Sequence, residues 1–190
     1  MNFMQLRERQ PKFPVTVKTG EGVVELIWNK IEYADGYRVF ASPVGKNHFV
    51  GVINVKGTTA VMKKRANGVP MQYKVKAFRI ADGPDNFFGE SEIVIACPLE
   101  TPRRLTAIVG SDGICTLSWR YNSQCDGFKI YADSNESGKY SFVCYSGKNS
   151  CRLDSFTKSG KVSFVVRSFI MTGNMEKLGV YSDPAEAVLP

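Results

Sequence analysis

Histidine is nearly absent: His48 is the only one in 190 residues. One imidazole and scattered acids build no Ser-His-Asp, Cys-His or paired-carboxylate arrangement. The cysteines, Cys97, Cys115, Cys125, Cys144 and Cys151, contain no Cys-x-x-Cys step. The clustered short spacing of zinc ligands is therefore missing, and no metal is expected. Because their number is odd, at least one thiol stays unpaired within the chain. No apolar run approaches the ~20 residues of a membrane helix. The opening Met1–Gln10, MNFMQLRERQ, lacks the apolar stretch of a secretory signal. That start is compatible with a cytosolic protein or with one read after processing. The glycines fall at turns, not in a phosphate-cradling loop. Together these absences argue against catalysis, a cofactor and a membrane span.

What is present is ordinary globular material. Hydrophobic residues make up 43% and charged residues 23%, so the chain can bury a core and disorder is not expected. The net charge is +7. Residues 1–98 hold 14 basic and 9 acidic side chains, and residues 99–190 hold 11 and 9, so most of the excess lies in the first half. This favours anionic surfaces weakly and is too small to mark a nucleic-acid binder.

The chain repeats itself at an offset of 91 residues, without a gap. Pro11, Gly22, Leu26 and Trp28 match Pro102, Gly113, Leu117 and Trp119. The run Asp35-Gly36-Tyr37-Arg38-Val39-Phe40-Ala41 matches Asp126-Gly127-Phe128-Lys129-Ile130-Tyr131-Ala132. Val75, Phe78 and Ser91 match Val166, Phe169 and Ser182. A unit of about 90 residues is large enough for its own core. Within each copy the apolar residues alternate with period two: Val24, Leu26, Trp28; Tyr73, Val75, Ala77; Cys115, Leu117, Trp119; Val162, Phe164, Val166. That is a strand with one buried face. Turn residues such as Asp35-Gly36, Asn67-Gly68, Asp82-Gly83-Pro84 and Ser137-Gly138 separate the runs. No helical stripe competes. Short strands with short connections predict antiparallel sandwiches.

These residues resemble the fibronectin type III family. The first copy has an opening Pro11, then Leu26-x-Trp28, Gly36-Tyr37, Tyr73-x-Val75-x-Ala77 and Gly89-x-Ser91. The second has Pro102, Leu117-x-Trp119, Gly127-Phe128, Phe164-x-Val166-x-Ser168 and Ser182. The resemblance covers residues 11–190. It implies an all-β chain of two consecutive immunoglobulin-like, seven-stranded β-sandwiches, at 11–98 and 99–190, after a tail at 1–10. The tyrosine that usually opens the sixth strand is replaced by Met71 and Val162, and the integrin-binding Arg-Gly-Asp tripeptide is absent. Pro184 falls early in the expected last strand, where proline needs an edge or a bulge. The join Pro98-Leu99-Glu100-Thr101-Pro102 is short and proline-containing, which predicts semi-rigid domains.

The family normally folds without a disulfide, so Cys115 and Cys151, on the inward parity, are expected as buried thiols. Cys125 stands before a turn, with nothing nearby in sequence to activate it. The resemblance implies a non-catalytic protein- or glycan-binding or adhesion module, at a cell surface or outside the cell. A structural spacer is the alternative, and weak nucleic-acid binding ranks behind both. The candidate binding residues are Arg38, Lys74 and Lys76 with Lys129 and Arg167, which lie on the outward parity of two neighbouring strands. Each domain then carries a basic patch on one sheet, or merely a solvated face. Phe87 and Phe88, adjacent in an expected loop before the last strand, are either an exposed apolar spot or fold back onto the sandwich.

Overall fold

The computed structural model describes residues 12–83, 86–154 and 156–190. The tail at 1–10, Pro11 and Pro84 lie outside these residues. The chain separates into two compact units, one built of the described residues up to Thr19 with Val23–Arg65 and Val69–Cys97, the other of Pro98–Pro190 with the short pieces Gly20–Gly22 and Ala66–Gly68.

In the first unit β1 (Val15–Gly20), β2 (Val23–Trp28) and β5 (Thr59–Met62) form a three-stranded sheet in the order β1-β2-β5. Facing it is a sheet of β4 (Val50–Val55), β3 (Gly36–Pro43), β6 (Met71–Phe78) and β7 (Phe87–Glu90), with β8 (Val94–Ala96) also pairing β6. The second unit repeats the plan. One sheet holds β13 (Ser150–Arg152), β10 (Cys115–Arg120) and β9 (Arg103–Val109). The other holds β12 (Ser141–Ser146), β11 (Gly127–Asp133), β14 (Gly160–Thr172) and β15 (Met175–Leu178), with β16 (Ala185–Leu189) on β14. The pairings among β2 to β8 and among β9 to β16 are antiparallel. Among the described residues the only helical piece is one 3₁₀ turn, Ile80–Asp82, which buries nothing.

The alternation read from the sequence is the alternation of burial. Val24, Leu26, Trp28, Tyr37, Val39, Tyr73, Val75 and Ala77 fill the first core. Leu117, Trp119, Phe128, Ile130, Val162, Phe164 and Val166 fill the second. Each tryptophan meets a ring edge-on, Trp28 on Tyr37 at 5.3 Å and Trp119 on Phe128 at 5.1 Å. The matched glycines have a steric reason. A Cβ on Gly36 would stand 2.6 Å from the Phe78 ring and 3.1 Å from the Val55 carbonyl. On Gly127 it would stand 2.9 Å from the Ser146 carbonyl and 3.0 Å from Phe169.

The seventh strand of each sandwich comes in two pieces, β7 with β8 and β15 with β16, and the matched serines explain the break. The Ser91 N–H donates to the Val75 carbonyl at 2.8 Å, while the Val75 N–H donates to the Ser91 Oγ at 2.9 Å. Ser182 treats Val166 identically, at 2.8 and 3.0 Å. The hydroxyl stands in for the strand's own carbonyl, so the chain kinks there with the buried amide still paired. Phe13 covers the first break: its N–H donates to the Glu90 carbonyl and its carbonyl accepts from the Glu92 N–H. Two placements differ from expectation. Pro184 precedes β16, so it costs the sheet no donor. Phe87 and Phe88 open strand β7 and are not in a loop, because the turn closes earlier, around Asp82-Gly83.

Ser182→Ala leaves the Val166 amide buried without an acceptor, and should destabilise the second sandwich by about 1–3 kcal/mol in urea unfolding. A loss within noise of zero would mean that the serine does not hold the break.

Candidate binding faces

Strand pairing decides which side chains share the outer face of each larger sheet. In β3 and β6, Val39 opposes Val75 inward, and Arg38 therefore opposes Lys76 outward. In β11 and β14, Ile130 opposes Val166 and Lys129 opposes Arg167. The candidate cations are thus brought together within each domain, as their parity requires.

They do not form an open basic patch. In the first domain Lys74 and Lys76 both reach Glu90 Oε2, at 3.3 and 3.1 Å. Arg38 Nε donates to Asn54 Oδ1 at 2.8 Å. Rings fill the spaces between them. Lys74 Nζ lies 4.5 Å from the centre of Phe49, Lys76 Nζ lies 5.6 Å from Phe40 and 5.4 Å from Phe87, and Arg38 lies 5.4 Å from Phe87. Phe40 and Phe87 themselves meet edge-on at 5.5 Å. Cations over ring faces are held by the ring quadrupole. The Lys74 side chain keeps only 16% of its surface exposed, far from the fully solvated lysine of an outer face. Burial pushes the Glu90 carboxyl up, but the Lys76 hydrogen bond and the charges of Lys74 and Lys76 outweigh it, and the net shift is downward. Phe88 points the other way: it packs against the core, with the Arg79 guanidinium 4.8 Å from its ring.

The second domain carries more rings and leaves more of them bare. Lys129 Nζ bonds Glu176 Oε2 at 2.6 Å and lies 5.2 Å from Tyr145 and 5.9 Å from Phe142. The Glu176 bond, ahead of smaller effects, holds the Lys129 ammonium above its ordinary value. Arg167 donates from Nε to the Gly179 carbonyl at 2.7 Å and lies 4.5 Å from Tyr181. Tyr181, Tyr131, Phe142, Tyr145 and Phe169 then run as a chain of ring contacts, with centroids 5.3, 5.8, 4.8 and 5.8 Å apart. Phe142 is 47% exposed and Tyr145 59%. Parity alone would have placed Phe40 beside Arg38 and Tyr131 beside Lys129. The contributions of Phe142, Tyr145, Glu90 and Glu176 depend on which strands become neighbours.

His48 is exposed, in the irregular stretch before β4. Burial pushes the Cys125 thiol up, which makes it a poor nucleophile at neutral pH. Among the described residues no cluster of His, Cys, Asp or Glu is arranged to hold a metal ion. Likewise, no helix among them is long and apolar enough to cross a membrane.

No family model matches the chain, and no curated protein does. Solved structures do. A segment of two fibronectin type III domains from chicken tenascin is 16% identical, with 93% of this chain and 97% of that one covered and a TM-score of 0.50. The FN1-FN3 domains of chicken CNTN1 are 18% identical; the match covers 94% of this chain and 66% of that one, with a TM-score of 0.41. The chain thus spans just under two thirds of the CNTN1 fragment. The fold is that of tandem fibronectin type III domains, all-β and immunoglobulin-like.

Glu90→Gln removes the carboxylate shared by Lys74 and Lys76, and should cost about 0.5–1 kcal/mol at neutral pH. Because the Glu90 carboxyl is lowered by folding, its contribution is complete above the ordinary carboxylate range and fades as pH falls through the lowered value. Urea unfolding of both proteins from pH 7 down into the acid range checks this: the gap between them should narrow as pH falls. A gap that is as wide in acid as at pH 7 would contradict it.

Proposed function

We propose that this chain is a non-catalytic binding module that engages a protein partner through the outer face of the second domain's larger sheet. The observation that carries the reading is the exposed ring chain around Lys129 and Arg167. Tyrosine, phenylalanine and arginine are the residues that protein interfaces concentrate at their centres, because they bury much area at little conformational cost. Phe142, Tyr145 and Tyr181 offer that area on a strand-supported surface, and Lys129 and Arg167 add positive character between them. The partner that fits presents apolar side chains ringed by acidic ones. The first domain's face, with Arg38, Lys74, Lys76 and Phe87 largely satisfied by Glu90, Asn54 and one another, suits a supporting role. The fold likeness to tandem fibronectin type III domains and the lack of a metal-type cluster among the described residues support a binding role over catalysis.

The test is affinity capture from the source organism with wild-type chain, with a Phe142→Ala/Tyr145→Ala double variant, and with Ile108→Ala as control. Ile108 is exposed on β9, in the opposite sheet. All three substitutions are at exposed sites and should change stability by no more than about 0.5 kcal/mol each. A protein held by wild type and control, and bound at least about tenfold more weakly by the double variant, is the expected result; one hot-spot ring commonly carries more than 1 kcal/mol. Equal capture by all three would refute this face. Retention only by immobilised glycans would move the reading to a carbohydrate ligand, and retention of nothing would favour a spacer.

A further inference from the structure

The second sandwich places two thiols from opposite sheets against one another. Cys144 on β12 and Cys151 on β13 bring their sulfurs within 3.3 Å. Their partner positions in the first copy, 91 residues earlier, are Ile53 and Ala60. The scaffold is therefore satisfied there by plain apolar side chains, and thiols are not required for packing. The chain crosses from one sheet to the other between these residues through a short turn at Gly147–Asn149. Ser146 pins that turn: its Oγ accepts from the Lys148 N–H at 3.1 Å and donates to the Ser150 carbonyl at 2.6 Å. The two strand ends are thus held close by contacts independent of the sulfurs. A hollow of about 440 Å³, lined by Phe142, Cys144, Leu153 and Phe156 among others, opens beside Cys144. It is wide enough for a small reagent to approach. Cys115, on β10, is 2% exposed and lines only a smaller hollow of about 130 Å³ with Leu153 and Phe156.

We propose that Cys144 and Cys151 are an oxidation site, closing to an inter-sheet disulfide when the chain meets a low-molecular-weight disulfide. The reaction is two exchanges. One protein thiolate attacks a sulfur of the reagent, forming a mixed disulfide and releasing one reagent thiolate. The second protein thiolate then attacks the protein sulfur of that mixed disulfide and releases the other reagent thiolate. Two thiol protons leave the protein, its two sulfurs are oxidised, and one reagent disulfide is reduced to two thiols. Burial and the adjoining Cys144 thiol keep the Cys151 thiol well above its ordinary range, so the step is slow at neutral pH. Once formed, the bond joins the edge strand that carries Phe142 and Tyr145 to the opposite sheet. That edge can no longer peel away without unfolding.

The test uses the full chain with oxidised glutathione at mildly alkaline pH, followed by alkylation, thiol titration and peptide mass mapping. Of the five thiols, three should remain, with the missing pair found as a Cys144–Cys151 link. The second domain's melting temperature should rise by about 10 °C, as expected for closing a short loop in a domain of this size. Cys144→Ser should abolish link and shift alike, while Cys115→Ala should keep both. The wild-type chain compared before and after oxidation gives the answer even if a variant folds poorly. Five thiols persisting in excess oxidant, glutathione adducts that never resolve, or a link through Cys115 or Cys125 would each overturn the proposal.

Discussion

Two cations face each other across the central strand pair of each domain, and the rest of each outer face is organised around that opposition. Arg38 lies opposite Lys76, and Lys129 opposite Arg167. Like charges directly across a strand pair repel. They cannot move inward, because side chains alternate with a period of two and a one-residue slip would carry Val39, Val75, Ile130 and Val166 into water. The core therefore decides the register, and the register forces the cations together. The protein relieves the repulsion on the surface. Glu90 pairs with both Lys74 and Lys76 in one domain, offsetting one of their two charges, and Glu176 neutralises Lys129 in the other. Aromatic rings fill the intervening space in both.

The two copies reach this end with different residues. The position that holds Glu90 in the first domain holds Tyr181 in the second, where it faces Arg167. The position of Gly51 holds Phe142, and that of Asn54 holds Tyr145. The backbone scheme is common to both, down to the strand irregularity after Val39 and after Ile130. The chemistry on it has diverged, and among the described residues of the two larger sheets' outer faces the broad exposed ring surface, Phe142 and Tyr145, is in the second copy. That divergence is the reason the proposed binding face is the second copy's.

The period of two, the offset of 91 and the paired tryptophans made the sandwiches legible before any coordinates, since each is a local pattern with one physical meaning. Arg38, Lys76, Lys129 and Arg167 were legible as outward for the same reason. What was not legible depends on contacts distant in sequence. Phe87 and Phe88 follow a run of Asp, Gly, Pro and Asn that reads as a continuing loop, but Phe87 is drawn into the sheet by Phe40, 47 positions earlier. Ser91 and Ser182 showed only as matched letters; that their hydroxyls replace a strand carbonyl follows from Val75 and Val166 lying alongside. The nearness of Cys144 to Cys151 was hidden because the two residues belong to different sheets. The lysines read as solvated because most of their carboxylate and ring partners come from Phe49 just before β4 and from β7, β12 and β15, edge segments whose order in the sheet no single run of sequence reveals.

Cross-strand nuclear Overhauser contacts in the full chain measure the register that governs everything else. The structure requires Hα and amide contacts that put Lys129 opposite Arg167 and Ile130 opposite Val166, with the same pattern for Arg38 and Lys76. Contacts shifted by one residue, with Lys129 opposite Val166 or Ser168, would break the link between the apolar core and the cation-and-ring faces, and the account would fail with it.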